Sequence, residues 1–275
     1  MIARILLFSL ALSFNLFANT QTVESELDAL DPTAARQTPQ LSLAANYQSN
    51  FYQEDQVGSG QTAIFTAAFA HPLTESLSIS HGLSYSKRLE DYREGDFDNY
   101  SLTLQGLNVK WTPSLVTSFV PTATATINEE QREVYYSQGS VRASAVTVKS
   151  WDLVNVYLNV GGAKNIQEFK TDFEGKSLTS YFVVAAAGVQ YRMLDRLMVD
   201  LGYSMLQGFT YDNTRKDPTG SFSLLATYLA TKKLSIVGGL TSQEKLYNDA
   251  GNSREWERYI VSSDTVLTLG MNYVF

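Results

Sequence analysis

The sequence predicts an all-β chain that crosses a membrane as a closed, antiparallel, up-and-down β-barrel of about twelve strands, within a range of ten to fourteen. Three observations carry this. From residue 39 to residue 275 apolar and polar residues alternate in runs of strand length, so each run has one greasy face and one polar face. The connectors alternate too, a short turn followed by a long charged loop. No segment beyond the first 18 residues approaches the ~18 consecutive apolar positions that a membrane-crossing helix requires.

The last run shows the pattern most clearly. Leu267, Leu269, Met271, Tyr273 and Phe275 share one face, and Thr268, Gly270 and Asn272 share the other. This ending resembles the closing strand of bacterial outer-membrane β-barrels, which typically finishes on an aromatic residue with another aromatic or apolar residue two before it. The resemblance implies that Tyr273 and Phe275 form a signal for the barrel-assembly machinery, and that the last strand pairs with the first. It covers residues 39–275 as a porin-like pattern and singles out no particular barrel family.

Composition agrees. With 21 basic and 28 acidic residues the net charge is −7, which argues against nucleic acid as a partner. A mean hydropathy of −0.14 suits a barrel, because only alternate residues face lipid. Sixteen Tyr, fourteen Phe and three Trp suggest aromatic girdles at two membrane interfaces. There is no Cys, hence no disulfide framework, thiolate chemistry or lipoprotein signal.

Residues 1–18 read as a signal peptide, with Arg4 in a short basic start, an apolar run from Ile5 to Phe17, and Ala18 at the cleavage position. Residues 19–38 read as a polar, acidic periplasmic tail, either flexible or docked as a short helix in the barrel mouth. Together with export, the resemblance to outer-membrane barrels implies that residues 39–275 lie in the outer membrane of a Gram-negative bacterium, with its lipid and lipopolysaccharide as expected partners.

Taken in order, Leu41, Leu43, Ala45 and Tyr47 mark the first strand, and residues 62–70 the second. A turn at His71-Pro72 leads to a third strand near 77–85. A charged loop follows, then a fourth strand over about 98–111 whose phase slips near Gln105-Gly106, the mark of a bulge. The fifth strand carries Pro121, which removes a ladder donor and predicts a bulge or break there. A loop over 128–139, a sixth strand to Trp151, and a seventh carrying Val154, Val156, Leu158 and Val160 come next. Strands eight and nine flank Leu194-Asp-Arg196, strands ten and eleven flank Lys232-Lys233, and the longest loop precedes the closing strand. Short connectors after every even strand and long ones after every odd strand suit turns on one side of a bilayer and loops on the other.

Little in this text suggests chemistry. The two histidines are His71, assigned to a turn, and His81, in phase with lipid-facing Ile79 and Leu83. His81-Gly-Leu-Ser84 loosely resembles the His- and Ser-bearing strands of outer-membrane phospholipase and lipid A deacylase, but a three-residue offset puts the two side chains on opposite faces. Glu90, Asp91, Glu94, Asp96 and Asp98 form an acidic loop without fixed ligand spacing, interspersed with Lys87, Arg88 and Arg93. No cofactor, metal or catalytic residue is expected, and the chain reads as a non-enzyme. The expected lumen face carries Asn46, Gln48, Arg142, Asn155 and Asn159, followed by Gln190, Arg192, Asp200, Thr268 and Asn272. Arg192 and Asp200 flank one turn and are expected to pair across it. The expected function is a narrow diffusion channel for small solutes. The alternatives are a closed structural, adhesin or receptor barrel acting through its loops and, third, a lipid-modifying enzyme.

Overall fold

The computed structural model describes residues 39–50, 60–74, 76–89, 95–133, 136–172, 174–245 and 265–275. The segments expected as signal peptide and periplasmic tail, and Glu90, Asp91 and Glu94 of the acidic loop, lie outside the described residues.

The strands are β1 (Gln40–Asn50), β2 (Gln61–Pro72), β3 (Ser78–Arg88), β4 (Asp96–Gln105), β5 (Leu107–Thr112), β6 (Leu115–Thr126) and β7 (Ser137–Ser150). They continue with β8 (Val154–Gln167), β9 (Thr179–Leu194), β10 (Leu197–Thr210), β11 (Thr219–Leu229), β12 (Leu234–Lys245) and β13 (Val266–Val274). One short helix, Glu129–Glu133, lies in the connector between β6 and β7. All strand pairings are antiparallel, and β1 pairs with both β2 and β13, so the sheet closes. β4 and β5 are two halves of one stave, since β6 pairs with β4 through Thr122–Thr126 and with β5 through Leu115–Phe119. The result is a twelve-stave barrel. Staves spaced about 4.8 Å apart and tilted by about 40° enclose a ring roughly 24 Å across.

The break between β4 and β5 is the phase slip expected near Gln105-Gly106. Gly106 has φ of 95°, and a Cβ there would overlap the Ser76 carbonyl oxygen, so only glycine fits. Pro121 corrects an expectation. β6 runs through it without interruption and pairs Pro121 with Ala143 of β7. The irregularity falls in the neighbouring stave instead, where pairing stops at Thr122 and resumes at Phe119. The residue that cannot donate thus faces a gap in the ladder. His71 is a second correction: it belongs to β2, paired with Ile79, rather than to the turn.

Burial follows the alternation. On β13, Thr268 is 2% and Asn272 5% exposed, whereas Leu269 is 50% and Met271 58% exposed. The same holds around the ring, with Phe65, Phe69, Leu158, Leu201 and Ile236 outward and exposed. This reverses the rule for water-soluble domains, and it is the surface that hydrocarbon requires. Closure pairs the described staves around the ring, as a bilayer requires, and leaves only the short β5 half-stave with a free side, paired to β6 alone beyond the start of β3. Trp111, Trp151, Tyr191 and Tyr228 gather outward near the end carrying the short turns. There Lys149 Nζ lies 5.8 Å from the Trp151 ring and donates to Ser114 Oγ at 2.6 Å. At the long-loop end Tyr181 stacks on Phe209 at 4.7 Å, and Lys164 Nζ lies 4.8 Å from the Tyr211 ring. Amphipathic side chains at both rims suit the two water interfaces.

Candidate functional site

The inner wall is the face on which polar side chains converge. Asn46 and Gln48 of β1 pair with Gly270 and Thr268 of β13, and Asn272 pairs with Ala44, so the seam of the barrel is polar on its inner side. A Cβ at Gly270 would overlap the Asn46 amide, which therefore lies flat against the wall. Asn155, Gln190 and Asp200 form one continuous row across β8, β9 and β10. Asn159 lies opposite Val146 on β7 and Ala186 on β9. Arg142 occupies a different row, with Ala163, Phe182 and Gly208, eight positions further along β10 than Asp200.

Asp200 is 3% exposed and organises its surroundings. Tyr157 Oη donates to Asp200 Oδ1 at 3.3 Å, reaching from β8 across β9 to β10. Its path lies over Gly188 and Gly202, which pair with each other; a Cβ at Gly202 would come within 2.8 Å of the Tyr157 hydroxyl, and one at Gly188 would overlap it. Gln190, the direct cross-strand partner of Asp200, faces the same carboxylate. Oδ2 is buried and has no hydrogen-bond partner.

The expected pairing of Arg192 with Asp200 is corrected. Register sets Arg192 opposite Met198, while Asp200 meets Gln190 and Tyr157. Tyr157, Gly188 and Gly202 were missed by sequence reasoning. The available signal was an aromatic in the inward phase of its strand, facing glycines in the inward phase of the next two.

Other residues of interest lie elsewhere. His81 points outward, and Ser84 points inward with its hydroxyl donating to the Asn99 carbonyl at 3.5 Å, so they are on opposite faces. Tyr273 and Phe275 are outward and meet edge to face at 4.7 Å, and the Phe275 amide donates to the Leu41 carbonyl at 2.9 Å across the seam. Among the described residues no three His, Cys, Asp or Glu side chains gather into a metal-binding group.

No protein-family model matches the chain, and no curated protein matches it in sequence. Solved outer-membrane channels share its barrel. The NanC porin superposes with a TM-score of 0.56 at 8% identity, covering 85% of this chain and 98% of that one. An outer-membrane channel from Pseudomonas putida F1 gives 0.58 at 12% identity over 86% and 96%. The KdgM porin gives 0.51 at 9% identity over 85% and 99%. These are likenesses of fold across nearly the full length of each channel.

Proposed function

We propose that the chain is an outer-membrane barrel acting as a narrow diffusion channel for small hydrophilic solutes. The observation that carries the reading is the inward convergence of amides, hydroxyls and charges of both signs, among them the well-separated Arg142 and Asp200, inside a closed sheet whose outer surface is apolar. Such a wall solvates a passing solute, and fixed charges of both signs discriminate by electrostatics. Twelve staves lie between the filled eight-strand barrels and the open sixteen-strand porins, which suits a narrow path. The shared fold of the NanC, KdgM and Pseudomonas channels supports the same reading. The KdgM porin has also been solved in complex with a disordered oligogalacturonate. Tyr273 and Phe275, presented together on the outer surface at the seam, are assigned to recognition by the barrel-assembly machinery.

A second reading rests on a specific observation. Phe182, Val184, Leu225 and Val237 face inward and are 5–7% exposed, which favours a filled interior and a barrel acting through its long loops. Planar-bilayer recording of the purified protein separates the two. Discrete conductance steps are expected, and a silent bilayer containing correctly folded barrel overturns the channel.

A further inference from the structure

The chain has two histidines, ten residues apart in sequence, and the β2–β3 hairpin brings them together on the outer wall. Register pairs Phe69 with His81 and His71 with Ile79, so the imidazoles are diagonal neighbours on one face. Their rings lie 5.4 Å apart between centroids and 16° from parallel. Tyr100 of β4 closes the group, its hydroxyl 2.5 Å from His81 Nδ1. His71 Nδ1 is buried and has no hydrogen-bond partner. Phe69, in ring contact with His71, and outward-facing Ile79 and Leu102 surround the group with apolar side chains. His71 precedes Pro72 and the short turn, so the group sits near the end of the barrel that carries both ends of the sheet.

Such a placement has no part in conduction through the lumen. Two imidazoles on diagonal positions of an antiparallel pair have Cβ atoms up to about 7–8 Å apart, a separation that one shared metal ion can bridge. Neutral imidazole is the preferred side-chain ligand for zinc and copper. A ligating histidine normally donates its other ring N–H to an oxygen, which sets the tautomer and aims the lone pair. Tyr100 stands where it can accept that proton's hydrogen bond from His81 Nδ1, leaving Nε2 for a metal. We propose that His71 and His81 form a two-imidazole site for a divalent first-row transition cation, Zn²⁺ or Cu²⁺, with Tyr100 as the positioning residue and water in the remaining coordination positions. Binding releases His71 from an unpaired state and links β2 to β3 near the rim.

The test uses the full chain, folded in detergent and free of any affinity tag, titrated with Cu²⁺. One ion per chain is expected, with two imidazole nitrogens coupled in the electron paramagnetic resonance spectrum. His71→Ala and His81→Ala should each weaken binding at least tenfold and reduce the coupling to one nitrogen. Tyr100→Phe should weaken it about tenfold while keeping both nitrogens. Retained electrophoretic mobility of the unheated barrel verifies folding of each variant, and the nitrogen count in the unaltered chain stands independently of any variant. Absence of saturable binding, or undiminished binding by the double His variant, overturns the site. Neither result bears on conductance, so this site and the channel fail separately.

Discussion

The Tyr157 hydroxyl donates to the Asp200 carboxylate across an intervening strand, over a floor made by Gly188 and Gly202. A tyrosine two staves away can reach that carboxylate only because neither glycine has a side chain to lift its ring. The contact ties three staves together on the lumen side at the one acidic group of this row, so stability and the proposed selectivity meet in one place.

Removing the hydroxyl isolates the first of these. Tyr157→Phe should destabilise the barrel by about 1.5–3 kcal/mol, the usual range for a hydrogen bond to a charged group. Gly188→Ala should cost more, because its Cβ would meet both the Tyr157 hydroxyl and, at 2.7 Å, the Leu201 carbonyl. In a Tyr157→Ala background the glycine penalty should shrink without vanishing, since the backbone clash remains. Urea unfolding from lipid vesicles, followed by tryptophan fluorescence, measures all three.

Ion selectivity reports the second. Asp200→Asn removes a lumen anion and should move the reversal potential under a salt gradient toward anion preference. Arg142→Gln removes a lumen cation and should move it the other way. Their positions in different rows make the shifts roughly additive. Unchanged reversal potentials in both variants would detach the inner charges from permeation.

Glycines at positive φ should separate by their surroundings. Gly106→Ala adds a clash with the Ser76 carbonyl to an unfavourable φ of 95°, and should cost about 2–3 kcal/mol or prevent barrel formation. Gly175, at φ of 77°, has nothing within 4 Å of the added Cβ. Gly175→Ala carries only the conformational term, about 1 kcal/mol. The fraction of chain that folds into vesicles ranks the two.

Asp212 lies in the loop after β10. The Thr210 hydroxyl and the Thr214 amide, the latter at 3.3 Å, donate to its carboxylate and hold its pKa below the ordinary aspartate range. A depressed carboxyl contributes stability that is fully present above the unfolded value of about 3.9 and is lost as pH falls through the lower folded value. The Asp212 carboxyl resonance should therefore titrate below pH 4, with Thr214 amide protection lost over that same acidic interval. Asp212→Asn should abolish the titration.

The alternation of side chains by itself determined the barrel, its strand phases and its alternating connectors. Lipid outside and polar groups inside impose a period of two that is written locally, as in Leu267 to Phe275 and Leu197 to Met205. It also assigned Asn46, Asn155, Gln190, Asp200 and Asn272 to one face, because phase needs no knowledge of neighbours. Which residues meet across staves is a matter of register, and register depends on turn geometry and bulges that no single strand encodes. Only the tertiary structure carried β6 unbroken through Pro121, gave Asp200 to Tyr157 rather than Arg192, and set His71 against His81. Each of these contacts joins positions whose separation in sequence says nothing of their distance until the sheet has closed.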